Sequence, residues 1–251
     1  MQPAALRKEA RTPLTSHGRY GPHAALLILG LAAGPVGAQV EAPTSPTWRP
    51  HQVTVSALGG GAAYSSFLTV ELATGDERLT ARTAMAVAGA LGYWPRRGWG
   101  VRLHGGWAPT RFERERRGGN EPGTPPDARG ANLSVWMADL DLLIRLPIGL
   151  GRVEPYGVVG GGVVRYVADE SAALPSEARG DFAAGTSTRG ALVLGAGALI
   201  PMQRRDLLLT FEVTDHVVRS PVRGPTGQAA SVTSNVRLLV GLTLPLFWAG
   251  F

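Results

Sequence analysis

The chain has 251 residues, 44% of them hydrophobic, with 34 glycines and no cysteine. The lack of cysteine excludes disulfide staples and thiolate chemistry, and so large an apolar fraction excludes a disordered chain. The net charge of +6 divides evenly: Arg7, Lys8, Arg11 and Arg19 against Glu9 give the first 38 residues +3. The other +3 is spread over single arginines, which excludes the dense basic face of a nucleic-acid binder.

Residues 24–33 read AALLILGLAA, an uncharged run of ten behind a basic leader and ahead of the small-residue stretch Val36-Gly37-Ala38. That order predicts a secretory signal peptide over residues 1–38. The run is too short for a permanent membrane helix. Residues 39–50, QVEAPTSPTWRP, read as a proline-rich periplasmic linker. Beyond the leader no uninterrupted apolar run of eighteen residues occurs; the longest candidate, 238–251, is broken by Thr243 and Pro245. A membrane-spanning mature chain would therefore have to be a closed barrel.

From residue 51 the pattern has a period of two. Eight strands are predicted, over 51–64, 81–94, 99–112, 133–146, 153–167, 188–200, 206–217 and 235–246. In the second, Met85, Val87, Leu91 and Tyr93 oppose Ala84, Ala86, Ala88 and Ala90. In the third, Trp99, Val101, Leu103 and Trp107 oppose Arg102 and His104. The fourth sets Trp136, Leu140, Leu142 and Ile144 against Asp139, Asp141 and Arg145. The seventh sets Leu209, Phe211 and Val213 against Glu212, Thr214 and His216. The last sets Val236, Leu238, Val240, Leu242 and Leu244 against Asn235, Arg237 and Thr243. Strands of this length suit a tilted membrane crossing better than a soluble sheet.

Connections alternate. Short turns are expected at 95–98, 147–152 and 201–205, and long polar loops at 65–80, 113–132, 168–187 and 218–232. This is the layout of an up-and-down outer-membrane barrel, with both ends of the barrel domain (51–251) at the short-turn side. Tyr156 and Tyr166, ten residues apart on one face, are expected to mark the two aromatic girdles of the lipid face. Trp94 and Trp99, beside a short turn, are expected at the interface.

In this architecture the chain resembles the small eight-stranded outer-membrane barrels of the OmpA/OmpX type, over about residues 51–251. The glycine-rich segments Pro155-Tyr156-Gly157…Gly160-Gly161-Gly162 and Gly195-Ala196-Gly197, and the terminal Phe251, add to the resemblance. A C-terminal phenylalanine in such proteins is a recognition feature for the barrel-assembly machinery. Here the apolar face of the last strand is even-numbered, so Phe251 departs from it. Either a bulge lies near Pro245, or Trp248 ends the outward row. The resemblance implies an all-β, eight-stranded antiparallel up-and-down transmembrane barrel, monomeric, in the outer membrane of a Gram-negative-type bacterium. Its surroundings would be outer-membrane lipid and lipopolysaccharide.

The inward face is expected to hold Arg102, His104, Asp139, Asp141, Arg145, Arg165, Glu212 and Arg237. About eight strands leave an interior just wide enough for side chains. These residues therefore read as a plug of paired charges, against the alternative of a narrow gated passage. Such a chain is non-enzymatic, with a structural, adhesion or surface-interaction role, and needs no cofactor. Two alternatives remain. A soluble exported β-barrel would bind a lipid-like ligand with its apolar faces turned inward. A lipid A-modifying barrel enzyme would use a His/Ser pair, for which Asp215-His216…Arg219-Ser220 is the nearest approach. His51, His104 and His216 show no metal-ligand spacing in sequence.

Overall fold

The computed structural model describes residues 51–65, 67–72, 75–117, 132–148, 150–169, 185–202, 207–222 and 232–246. The expected signal peptide, linker and C-terminal Trp248 and Phe251 lie outside the described residues. Among the described residues there are ten strands: β1 (Gln52–Tyr64), β2 (Leu68–Leu72), β3 (Gly75–Ala81), β4 (Ala84–Arg96), β5 (Trp99–Arg117), β6 (Asn132–Arg145), β7 (Glu154–Ala168), β8 (Thr186–Pro201), β9 (Leu208–Arg219) and β10 (Val232–Leu246).

Eight of them, β1 and β4 to β10, pair antiparallel in a ring. β1 pairs with β4 and β10, the chain then runs through sequential neighbours, and β5–β6 pairing completes the closure. The ring has no free edge strand, so each of its strands pairs on both sides within the wall. The remaining two strands form a hairpin that sits on the overhang of β5. β3 pairs with β5 from Ala81↔Phe112 to Asp76↔Arg117, beyond the reach of β4. Segment 65–80, expected as an irregular loop, is therefore largely a β-hairpin.

β4 and β5 meet in a tight turn with Arg96 opposite Trp99. Leu150 bridges Val153 across a second turn, where Gly151 has a φ of 68° that favours glycine. Gln52 lies opposite Trp94 and Leu246 opposite Val53, so the barrel begins and ends at the short-turn side. The β10 register against β1 runs unbroken from Asn235 to Leu246. No bulge accompanies Pro245, and the departure of Phe251 from the outward row is not explained by one.

The alternation sorts the side chains. Leu103 (59% exposed), Leu140 (64%), Leu192 (50%) and Leu238 (62%) stand outside, while Arg102, Asp139, Asp141, Glu212 and Arg237 are 1–5% exposed. Apolar outside and polar inside is the inverse of a water-soluble barrel.

Candidate functional site

The interior is filled in three levels. At the loop end Phe67, Phe112, Leu133, Val135, Val164, Tyr166 and Val218 form an apolar cluster. Phe67 meets Phe112 and Tyr166 edge to face, with centroids 5.8 and 5.6 Å apart. At the short-turn end Trp94, Leu143, Tyr156, Leu199 and Leu208 form a second cluster. Between them lies the polar network.

Its lower half centres on Arg102 of β5. Nε and Nη2 donate to Asp141 Oδ2 of the neighbouring β6 at 3.1 and 2.8 Å. Across the barrel, Nη1 and Nη2 donate to the carboxylate of Glu212 on β9, the second at 3.1 Å. Tyr156 OH donates to Glu212 Oε2 at 2.7 Å. One guanidinium thus joins two carboxylates in the geometry to which its planar fork is suited.

The upper half centres on Asp139. His104 Nδ1 lies 2.6 Å from Asp139 Oδ2 and His216 Nε2 lies 3.0 Å from Oδ1. Arg237 Nη2 lies 3.7 Å from Asp139 and 2.9 Å from His216 Nε2. Small residues make room for it. A Cβ on Gly106 would lie 2.6 Å from Arg237 Nη1, and one on Gly162 would lie 2.8 Å from Asp139 Cα. Hydroxyls extend the polar lining: Ser56 and Thr210 both bond Thr243, and Asn235 Nδ2 donates to Tyr166 OH at 2.9 Å.

Six of the eight residues placed inside by the sequence are therefore joined here: Arg102, His104, Asp139, Asp141, Glu212 and Arg237. Arg145 is inward but separate. It is half-buried at the short-turn end, 3.1 Å from Glu154 and 5.8 Å from the Trp94 ring centroid. Arg165 is a correction: it is exposed on the outer face, while its neighbours Val164 and Tyr166 are buried. The girdle expectation for Tyr156 and Tyr166 is corrected with it, since both hydroxyls point inward to Glu212 and Asn235. Trp94 is likewise buried, whereas Trp99 is outward. His216 and Tyr156 belong to the network without having been assigned to it; the even-numbered parity of β9 already put His216 beside Glu212.

His104, Asp139 and Asp141 place three possible ligand atoms within 4.8 Å of one another. Both carboxylates already face a guanidinium, Asp141 that of Arg102 and Asp139 that of Arg237. A divalent cation there would meet two positive charges at close range. Of the His216 and Ser220 considered in sequence, the Ser220 hydroxyl donates to the Phe67 carbonyl at 2.6 Å, His216 Nε2 lies 3.0 Å from Asp139, and both residues are at most 1% exposed.

The outer wall carries its own pattern. Tyr93 and Trp99 (both 39% exposed) stand near the short-turn end, Trp107 (36%) and Trp136 (52%) toward the loop end. Trp99 and Trp107 are eight residues apart on one face of β5. At about 3.3 Å per residue and a tilt of about 40° they are roughly 20 Å apart along the barrel axis, near the height of a lipid-facing band. Leu103, Leu140, Leu142, Val159 and Leu194 occupy the zone between, Val87 faces Trp107, and Met85 and Leu238 lie further toward the loop end, all exposed. Charged side chains on this face include Arg165, cross-strand from Trp136, and Asp215, cross-strand from Leu194 and Val236.

No family model matches the sequence, and no curated protein matches it in sequence. Among solved structures the chain is similar to outer membrane protein AlkL, determined in DMPC lipid bilayers, with 13% identity and a TM-score of 0.50 over 86% of this chain and 99% of that one. It is also similar to the outer membrane protein OprG from Pseudomonas aeruginosa (14%, TM-score 0.48, 80% and 98%) and to Neisserial surface protein A (13%, 0.45, 76% and 96%). The fold of this chain is the closed, all-antiparallel, eight-stranded barrel of small outer-membrane proteins.

Proposed function

We propose that this chain is a non-enzymatic outer-membrane barrel, anchored by its wall and meeting the exterior through its four long connections. The observation that carries the reading is the continuous belt of exposed Leu, Val, Met and Trp side chains on a ring with no free edge, bounded by outward aromatics. In water such a belt would far exceed the apolar patches a soluble monomer shows; in lipid it is what a barrel presents. A soluble lipid carrier would need the same side chains turned inward. Burial of His216 and Ser220 inside the wall supports the non-enzymatic part. Structural support of the envelope or surface contact through the loops fits this design, with membrane lipid and the barrel-assembly machinery as its partners.

The reading is tested by fractionation. The protein is expected to stay in the outer-membrane pellet through a urea wash and to migrate faster on gels before boiling than after. Release by urea, with no heat-dependent shift, would overturn it. The lipid A mass profile of the same cells is expected to be unchanged by expression. A new lipid A mass that disappears in His216→Ala would overturn the non-enzymatic assignment.

A further inference from the structure

We infer that the upper half of the interior network is a proton-operated latch. One proton on the His104–His216 pair holds it closed, and a second frees Arg237 and loosens the loop-end cluster above. The inference rests on the barrel reading above and assigns the packed interior a response to acid.

The buried charges among the described residues do not balance. Arg102 and Arg237 stand against Asp139, Asp141 and Glu212, so one negative charge is in excess. Burial without a counter-charge is costly. His104 and His216 are the buried groups able to supply one near neutral pH. Both rings approach the same carboxylate, His104 Nδ1 at Asp139 Oδ2 and His216 Nε2 at Oδ1. One imidazolium cancels the excess. Two reverse it, with Asp139 as the single carboxylate between two imidazoliums and Arg237.

Arg237 is the group that such a reversal moves. Arg102 makes four hydrogen bonds to two carboxylates. Arg237 reaches the network through Nη2, and its Nε and Nη1 have no hydrogen-bond partner among the described residues. Its short contact, 2.9 Å to His216 Nε2, competes with the 3.0 Å contact from the same nitrogen to Asp139 Oδ1. A ring nitrogen carries either a proton or a lone pair. With its proton facing the carboxylate, it leaves Arg237 no acceptor. Arg237 is then held by the charge of Asp139 at 3.7 Å, and a second imidazolium outweighs that charge. Arg237 Nη2 is also 3.4 Å from His104 Nδ1, so it faces whichever ring is protonated.

Among the described residues the surroundings supply Arg237 no second anion at this level. Asp141 and Glu212 are taken by Arg102 below. β7 contributes Tyr156, which donates to Glu212, and Tyr166, which accepts from Asn235. β1 places Tyr64 opposite Asn235, and β4 lines the interior with Ala86 and Ala88. β8 contributes Arg189, whose Nη2 donates to Pro221 O at 3.3 Å. From Arg237 the path to the loop end is short. Asn235 lies two residues along the same face of β10, its Nδ2 donates to Tyr166 OH at 2.9 Å, and the Tyr166 ring meets Phe67 at 5.6 Å. Displacement of Arg237 therefore acts on the cluster through Asn235.

The sign follows from counting protons. In the unfolded chain both imidazoles ionise in water as pH falls through the ordinary histidine range, whereas the folded network resists the second proton, so acid favours unfolding. The test uses the full chain folded in zwitterionic vesicles, with heat-dependent gel mobility reporting the barrel reading separately. Urea unfolding is followed by tryptophan emission at about pH 7.5 and about pH 5, either side of the histidine range. The unfolding constant of the unaltered protein is expected to rise at least about tenfold at the lower pH, the linkage of one proton over a pH unit. His216→Gln keeps an amide at the Asp139 contact and leaves one titratable ring, so its constant should change less than about twofold. Arg237→Gln leaves two negative charges in excess, which two imidazoliums cancel, so its acid response should vanish or change sign. His51→Gln, on the exposed short-turn rim, should respond as the parent does. In a heat-modifiable barrel, equal constants at both pH values, or an undiminished acid response in His216→Gln, would overturn the inference. If neither network variant folds, ring-nitrogen resonances of the unaltered protein decide. The acid response should coincide with protonation of the second buried ring, and an acid transition that leaves both rings unchanged would overturn the inference.

Discussion

Arg102 shows what a single buried charge does in this barrel. Its guanidinium is the only link between Asp141 on one wall and Glu212 on the other among the hydrogen bonds described for those two carboxylates. Arg102→Met would leave both carboxylates buried without their cation, a loss of about 3–5 kcal/mol by the usual cost of breaking a buried pair. Urea unfolding in vesicles, followed by tryptophan emission, should show the midpoint fall accordingly; an unchanged midpoint would mean the pair carries no net stability. The pairing with Asp141 was half legible in sequence, since parity puts both residues inside. The partner across the barrel, 110 residues away, was not, because it depends on barrel width and strand tilt. Arg165 went wrong for a related reason. In β7 both faces hold valines and glycines: Val158, Gly160, Gly162 and Val164 on one, Val159, Gly161 and Val163 on the other. Hydrophobicity there cannot choose a face, and a wrong choice inverts every residue of the strand. What decides is the need of two tyrosine hydroxyls for buried partners, and those come from β9 and β10. Strands such as β6, with leucines facing one way and aspartates the other, left no such ambiguity.

At the scale of elements, the hairpin of β2 and β3 is an appendage on the wall. It pairs with β5 above the point where β4 has left it, and makes no ladder with any other barrel strand. It escaped sequence reading because LTVEL and GDERLTA are short and charged, and the overhang it joins, 113–117, reads ERERR. Strand alternation of apolar and polar residues is imposed by a lipid face, and above the rim that demand ends. Removal of residues 68–79 is therefore expected to leave the ring intact, with heat-dependent mobility retained and unfolding free energy within about 1 kcal/mol of the parent. Tolerance of this kind follows from the backbone bonds affected, which close no part of the ring. Phe67 is a different matter, since it is fully buried against Phe112 and Tyr166 and should be kept in such a deletion.

For the molecule as a whole, the described interior has three apolar clusters, at the loop end, at the short-turn end and around Leu58 and Leu239, together with a charge network. Phe67, Phe112, Tyr166, His104, His216, Glu212 and Arg237 each expose less than 2% of their surface, which favours a packed plug over an open passage. The expected outcome in planar bilayers is silence at moderate voltage. Tyr166→Ala combined with Phe67→Ala, which empties the loop-end cluster, should produce measurable ion current if that cluster is the upper seal. Current through the unaltered protein would contradict the packing described here. The eight strands of the ring, their order and the closed wall were readable from period and loop length; how the interior is filled was not, because it depends on which rings meet at 5.6–5.8 Å.

The seam between β1 and β10 has a further consequence for how the protein comes to exist. It joins the first strand of the ring to the last, with Ser56 and Thr243 bonded across 187 positions of sequence. Until β10 meets β1, a partly formed wall has two raw margins whose amides acyl chains cannot satisfy. Insertion strand by strand into hydrocarbon is thus forbidden. Closure and entry into the bilayer are therefore coupled unless another protein covers those margins, and a chain cut short before β10 should be cleared by proteases instead of lingering as a smaller ring.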